Sequence, residues 1–471
     1  MSSGKFKDFE AALLRAAEEF RKIKRTEIIR LISNLDADGI SAASIIIRVL
    51  ERLNFSYSVS ILHQLKEENA KELAEEDYEY YVFCDLGSGQ LSHINKYFKG
   101  KQVFVFDHHE VQGVADGNVV HINPHEFGFD GSSEISAAGV CFLFARAVDK
   151  KNEDLAHLAV IGAIGDVQEK NGFQGLNKVI LEIAVRKGKI KVEKGLRLFG
   201  LQTRPLHKLL EYSSDISIPG VTGNESGAVQ FLKEIGVEPV DNEGKWRCFS
   251  GLTDAEKKRL VAGIIMKRQA AGIKNPEDVF TNVYVLPDEK PGYFRDAKEF
   301  STLLNSCGRL GNASLGIGAC LGDEKQRLMA VSSLKDYKKE IVSSMNWYKD
   351  HVSSGSDRII KGRNYIIINA KDNVLATMIG TIASMISKNN DLEDNVFVLS
   401  MARNPDNTTK VSLRITGNPD GVDLRSIVSE LVERVGGEAG GHQYAAGAVI
   451  DTDKEGLFIE EAKALFESFR V

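Results

Sequence analysis

Short apolar runs that stop abruptly at an acid or an imidazole recur through the first third of the chain. Glu27 to Ser33 reads as a buried strand leading into Asn34-Leu35-Asp36-Ala37-Asp38-Gly39, and Ser41 to Leu53 reads as the helix that follows. Tyr80 to Cys84 is a second such strand and ends at Asp85, while Gln102 to Phe106 is a third and ends at Asp107-His108-His109. Leu158 to Ile164 is apolar throughout, fits a helix or a strand equally, and delivers Gly165-Asp166. Repeated strand-then-helix units predict an α/β fold with a parallel sheet, in which ligands gather beyond the carboxyl ends of the strands. The acids and imidazoles are therefore expected along one edge.

The remaining pattern suggests three parts. An amphipathic helix spans Phe6 to Lys24, and a helical Val192 to Tyr212 is expected to lead out of the first domain, residues 1–215. Residues 216–354 form a middle region: Ile216 to Lys274 is rich in turn signals and suits a small helical insertion, Phe300 to Gly311 suits a helix capped by Gly308, and Leu334 to Val352 a connecting helix. After the Ser353-Ser354-Gly355-Ser356 linker, residues 355–471 form a smaller α/β domain. A length of 471 residues exceeds what one core usually covers.

Composition changes this picture little. The chain is 43% hydrophobic and 27% charged, enough for sizeable cores, and no run is apolar enough to span a membrane. Five cysteines, odd in number and without a C-x-x-C pair, together with an N-terminus lacking an apolar signal core, lead us to expect a reducing cytoplasm. The net charge of −6 argues against a protein that wraps duplex nucleic acid. The basic residues Lys371, Arg403, Lys410, Arg414 and Arg425 nevertheless gather in the C-terminal part.

The strand-end residues carry the chemistry. Carboxylates and imidazoles without thiolates favour Mn²⁺ or Mg²⁺ over structural zinc. Two such ions about 3.5–4 Å apart would polarise a phosphate and activate water. Asp85, alone on its strand, is the candidate bridge, and Asp36 and Asp38, two residues apart, could serve one ion each from an extended turn. A phosphoesterase centre is the leading expectation.

The set Asp36-x-Asp38, Asp85, Asp107-His108-His109 and Asp166 resembles the DHH phosphoesterase superfamily, which includes RecJ exonucleases, oligoribonucleases and manganese pyrophosphatases. Ile122-Asn123-Pro124 and Ser133 to Gly139 resemble the segments downstream of its DHH triplet. Near the other end, Gly436 to Gly447 resembles the Gly-Gly-His-x-x-Ala-Ala-Gly motif of the DHH-associated substrate domain. Val411 to Arg414 and Thr377 to Ser384 resemble its phosphate-binding strand and preceding helix. The resemblance implies Asp36, Asp38, Asp85, His108 and Asp166 as ligands of one or two Mn²⁺ or Mg²⁺ ions. Asp107 and His109 match supporting or catalytic positions, beside catalytic roles for Asp38 and Asp85. It implies Arg414, Ser412, Gly440, Gly441 and His442 as substrate contacts, with Asn305 and Arg309 as further ones. Ile32 stands where bacterial members carry a His ligand, which leaves the first metal site one ligand short.

The layout resembles archaeal RecJ-like nucleases across nearly the whole chain. It implies an exonuclease that cuts single-stranded DNA or RNA to nucleoside 5′-monophosphates. Asn34 leans toward the type associated with the Hef helicase, with 3′→5′ polarity; the GINS-associated type is the close alternative. A scaffold that binds a helicase or GINS, or a phosphodiesterase for oligonucleotides or small molecules, are the other readings.

Overall fold

Five apolar runs pair in parallel to make the sheet that carries the strand-end acids: β1 (Ile28–Asn34), β2 (Ser56–Leu62), β3 (Tyr80–Cys84), β4 (Gln102–Phe106) and β5 (Val119–Ile122). Their order is β2-β1-β3-β4-β5, so the strands that end in Asp36, Asp85 and Asp107 are neighbours. In this computed structural model residues 3–170, 172–213, 215–388, 392–417 and 421–469 are described. They fall into two compact units, Met1–Ser333 and Leu334–Val471.

Helices α1 (Ser3–Arg21), α2 (Ala37–Arg52), α3 (Glu67–Glu75), α4 (Leu91–Tyr97) and α5 (Ala137–Val148) cover the sheet, and α6 (Ala156–Gly165) and α7 (Gly175–Arg186) pack on that helical layer. The ambiguous stretch Leu158 to Ile164 is thus helical. It is apolar all round because α6 packs against α2, α5 and α7 together. Beneath the sheet Ile32, Tyr81, Phe83, Phe98, Val103 and Val105 form a core with the α3 and α4 side chains Leu73 and Ile94.

The middle of the chain departs from expectation. No helix runs from Val192 to Tyr212. Instead β6 (Lys191–Leu196) pairs antiparallel with β7 (Phe280–Val285), and only α8 (Leu206–Glu211) is helical. Val192 faces Tyr284 and Leu196 faces Phe280 across that pair, partners too distant in sequence for local periodicity to reveal. Between them α9 (Glu225–Glu234) and α10 (Asp254–Ala270) build the small helical insertion around Leu206, Leu210, Phe231, Leu232, Leu260 and Ile264. The start of α10 is fixed by a capping box, Thr253 with Glu256.

Next come α11 (Ala297–Arg309), α12 (Ala313–Leu321) and α13 (Glu324–Ser354). Gly308 does not cap α11; it lies within the helix, where a Cβ would overlap the carbonyl of Leu35. The boundary between the compact units falls inside α13, upstream of the Ser353–Ser356 segment expected to be a linker.

The second unit is a six-stranded sheet of order β12-β13-β11-β10-β9-β8. Its strands are β8 (Ile359–Lys361), β9 (Tyr365–Lys371), β10 (Phe397–Arg403), β11 (Thr408–Ile415), β12 (Glu438–His442) and β13 (Ala445–Asp451). Helices α14 (Ile379–Ser387), α15 (Leu424–Val435) and α16 (Glu455–Ser468) accompany them. Leu399, Leu413, Val428, Leu431, Phe458 and Phe466 form its core. The Gly-rich stretch is the edge strand β12 rather than a loop. Among the described residues no helix is long and apolar enough to cross a membrane.

Candidate metal centre

Each strand end turns its acid inward by a different device. Beyond β1, Asp36 is the N-cap of α2 and accepts the Gly39 N–H at 3.0 Å. The turn is therefore helical rather than extended, and Asp38 sits in the first turn of α2. Its carboxylate reaches the N-terminus of α5 and accepts the N–H groups of Ala137 (2.7 Å) and Ala138 (3.1 Å), donors that favour negative charge. On α6 a Cβ at Gly162 would overlap Asp38 Oδ1, so only glycine lets that helix pass so close.

Asp85, one residue past β3, has φ 61°, and Val167, beside Asp166, has φ 60°. Left-handed backbone at two non-glycine positions of one site, one of them β-branched, is strain of about 1–3 kcal/mol each that the surrounding structure holds in place.

These devices bring five side chains together. His108 Nε2 lies 3.3 Å from Asp85 Oδ1, 3.4 Å from Asp166 Oδ2 and 3.9 Å from Asp38 Oδ2. His109 Nδ1 lies 3.7 Å from Asp85 Oδ1. Two groups of atoms close enough to share an ion, Asp85-His108-His109 and Asp38-His108-Asp166, have His108 in common. The other ring nitrogen of His108 donates to the Gly131 carbonyl at 2.6 Å. A carbonyl only accepts, so in the neutral ring Nδ1 carries the proton and Nε2 turns its lone pair toward three carboxylates.

Such a cluster is unfavourable as it stands. Asp38 and Asp85 are 0% and 1% exposed, and neither oxygen of Asp85 has a hydrogen-bond donor. Burial, with the Asp36 charge next, pushes the Asp85 carboxyl well above its ordinary range. Burial and Asp38 do the same to Asp166, and burial, against the pull of His108, raises Asp38. Burial pulls His108 down, yet the carboxylates of Asp85, Asp166 and Asp38 outweigh it and hold the ring well above its usual range. Buried carboxylates without donors are stable only when neutralised by a proton or a cation. The donor atoms are oxygens and one imidazole nitrogen with no sulfur, which suits Mn²⁺ or Mg²⁺.

Asp107 stands apart from the cluster. It accepts the backbone N–H groups of Ser88 (2.9 Å), His108 (2.8 Å) and His109 (3.2 Å), and Oδ1 lies 2.8 Å from His109 Nδ1. Burial works against its charge, but His109, His108 and the Ser88 N–H together hold it below the ordinary carboxylate range. Asp107 thus fixes the ring of His109, whose side chain is 40% exposed. Asp36 also stays outside both groups, although its charge is felt by Asp38, Asp85 and Asp166.

Several participants carried no signal that singled them out. Gly131 holds His108, and a Cβ there would overlap the His108 carbonyl. Gln168 Nε2 donates to the same Gly131 oxygen at 2.9 Å and is itself held by Asn177 at 2.6 Å. Gln168 stands in a polar run, Gln168-Glu169-Lys170-Asn171, and nothing in the sequence set it apart. Asn305, expected to touch substrate, accepts the Ala37 N–H at 3.0 Å and so braces the start of α2. Arg309 closes the same helix, α11.

In the second unit Arg414, on β11, donates to Ser384 Oγ (2.9 Å) and to the carbonyls of Leu413 (2.7 Å) and Ala446 (3.3 Å). Ser412 Oγ is 2.9 Å from where a Cβ of Gly380 would stand, at the start of α14. Gly447 pairs with Ser412 on one side and Gly440 on the other, and Gly441 (φ 125°) pairs with Ala446. The side chain of His442 lies outside the described residues. Of the expected basic cluster, Arg403 is committed to Glu455 at 3.0 Å.

Residues 28–164 match the DHH family N-terminal domain, 198–278 the DHH-CID domain and 362–468 the DHHA1 domain. The uncharacterized protein MJ0831 of Methanocaldococcus jannaschii is 31% identical over 442 residues, 92% of this chain and 91% of its own. Among solved structures, RecJ of Thermus thermophilus in complex with Mn²⁺ superposes with a TM-score of 0.60 at 16% identity, covering 97% of this chain and 55% of RecJ. CDC45 of Entamoeba histolytica gives 0.61 at 11% identity, covering 98% and 99%.

Proposed function

The chain belongs to the DHH superfamily, and from that premise we propose that it is a divalent-metal-dependent exonuclease that shortens single-stranded DNA or RNA to nucleoside 5′-monophosphates, with 3′→5′ polarity. The observation that carries this reading is the Asp85 carboxylate, buried, strained and without a donor at either oxygen, against His108.

Asp38, Asp85, His108 and Asp166 would hold Mn²⁺ or Mg²⁺, with Asp36 completing a second site beside Asp85. Bound there, the metal supplies Lewis-acid polarisation of a phosphate oxygen and lowers the pKa of water. The α5 N-terminus and Gly162 fix Asp38, and Gly131 fixes the tautomer of His108. Asp107 takes Nδ1 of His109, so proton transfer or charge stabilisation at the scissile phosphate falls to Nε2 of that exposed ring. Arg414 offers a planar fork for a neighbouring phosphate, with Ser412, Gly440, Gly441, His442 and Arg309 as the other substrate contacts.

The test is Mn²⁺-dependent digestion of single-stranded DNA and RNA oligonucleotides labelled at either end, with Asp38→Ala as control. A ladder that starts at one end and vanishes in the variant supports the reading and gives the polarity. Digestion unchanged in Asp38→Ala sinks the metal assignment. No digestion by either protein moves the weight to a scaffold that binds a helicase or GINS-type partner.

A further inference from the structure

A cationic side chain just before α8 stands, among the described residues, without a counter-ion. Most half-buried arginines of the first unit are matched to an acid: Arg197 to Asp278, Arg247 to Glu256 and Arg327 to Glu289. Arg204 is not. Among the described residues its guanidinium has no carboxylate partner and no hydrogen-bond acceptor, and it stacks over the rings of Phe199 (4.9 Å) and Tyr212 (5.7 Å). Burial holds its pKa below the usual value, as expected of a cation with nothing to neutralise it.

The surrounding loop is built to present it. Gly200, at φ +99°, leaves the space that the Arg204 stem fills: a Cβ there would stand 2.5 Å from Cγ and 2.6 Å from Cδ. Arg204 N and Thr203 N both donate to the Gly200 carbonyl, at 2.9 and 3.2 Å. Glu299 of α11 latches the loop by accepting Gln202 N–H at 2.8 Å and Thr203 O–H at 2.5 Å. That acid is turned to the loop rather than to Arg204, and burial pushes its carboxyl up to about 7. The acid whose charge Arg204 feels most is thereby partly neutralised at neutral pH.

We propose that Arg204, with Phe199 and Tyr212, is a subsite for one nucleotide unit of a single strand, the guanidinium taking a backbone phosphate and the exposed Tyr212 ring, 55% exposed, a base. Aromatic rings beside an unpaired arginine favour a single-stranded nucleic acid over an acidic peptide, because each nucleotide brings both an anion and a π-face. The helix that latches this loop also braces the metal-binding turn, through Glu299 and Asn305. Six residues of helix separate them, about 9 Å along its axis, so the subsite addresses the strand away from its reacting end. It rests on the exonuclease reading for its substrate.

The experiment is fluorescence anisotropy of a labelled single-stranded 20-mer with the full chain in EDTA, where hydrolysis cannot contribute, across a range of salt. We expect Arg204→Ala to weaken binding about tenfold and to reduce the salt slope by about 1. Tyr212→Ala should weaken binding without altering that slope, and Arg204→Lys should recover part of the loss. Arg204→Gln, which keeps the stem, with a melting curve for every variant, separates lost contact from lost fold. Wild-type affinity in folded Arg204→Gln and Arg204→Ala overturns the proposal. So does a wild-type chain that binds polyglutamate but no oligonucleotide. Binding that depends on Arg204 in a chain that cleaves nothing with Mn²⁺ keeps the subsite and removes the exonuclease reading alone.

Discussion

The carbonyl oxygen of Gly131 lies 2.6 Å from Nδ1 of His108, and this contact decides which face of the imidazole meets the acids. With Nδ1 protonated, Nε2 is the ligand atom. Gln168 donates to the same oxygen and keeps it in place. A Cβ at residue 131 would overlap the His108 carbonyl and stand 2.8 Å from Nε2 of His125. Gly131→Ala is therefore expected to lower Mn²⁺ affinity about 10–100-fold, the usual effect of losing an orienting partner. Isothermal titration calorimetry reads it, and an unchanged dissociation constant would show that His108 needs no such hold.

Asp85→Asn separates metal binding from folding. In the metal-free chain the carboxylate is buried without donors, so replacing it by a neutral group of the same size removes repulsion. Stripped with EDTA, the variant should melt at or above the wild-type temperature. Mn²⁺ at 100 times its wild-type dissociation constant should stabilise the wild type by about 2.7 kcal/mol and the variant hardly at all. A variant that keeps the full Mn²⁺ shift in differential scanning fluorimetry would remove Asp85 from the ligand set.

Asn305 braces the metal turn from a distant segment. Asn305→Ala leaves the Ala37 N–H without its partner, at a cost of about 1 kcal/mol. Because Ala37 lies between Asp36 and Asp38, the expected outcome is a fall in kcat greater than any rise in KM. Oligonucleotide kinetics at saturating Mn²⁺ check this. A change in KM alone would favour a direct substrate contact by Asn305 over the bracing role.

How much of this was legible in the sequence follows from which interactions are local. Asp85 and Asp107 each sit one residue past a buried strand, so their register was readable from the apolar runs alone. The capping role of Asp36 is local too, with Gly39 at the third position beyond it, yet the turn was expected to be extended. What stayed hidden was non-local. The β6–β7 pair joins residues 191–196 to 280–285, which made Val192 onward look helical. Gly308 looked like a cap because a glycine near a helix end usually is one, whereas its purpose is the close approach of Leu35. Gly131 and Asn305 act through backbone groups far away in sequence, and no spacing rule reaches them.

Glu299 supplies a pH signature apart from the metal centre. Burial raises its folded pKa to about 7 from an ordinary value of 4.5. Between those values the folded chain holds a proton that the unfolded chain has lost, so stability falls as pH rises. The contribution is complete below pH 4.5 and gone above about 7, worth at most about 3 kcal/mol. Glu299→Gln keeps an acceptor for Gln202 N–H and a polar partner for Thr203 while removing the titration. Urea unfolding in EDTA at several pH values should show the variant losing less stability than the wild type between pH 5 and about 7.5. The acids around His108 are common to both chains and cancel in the difference. A constant difference across that range would mean that Glu299 titrates normally and is charged beside Arg204, leaving the guanidinium with a counter-ion after all.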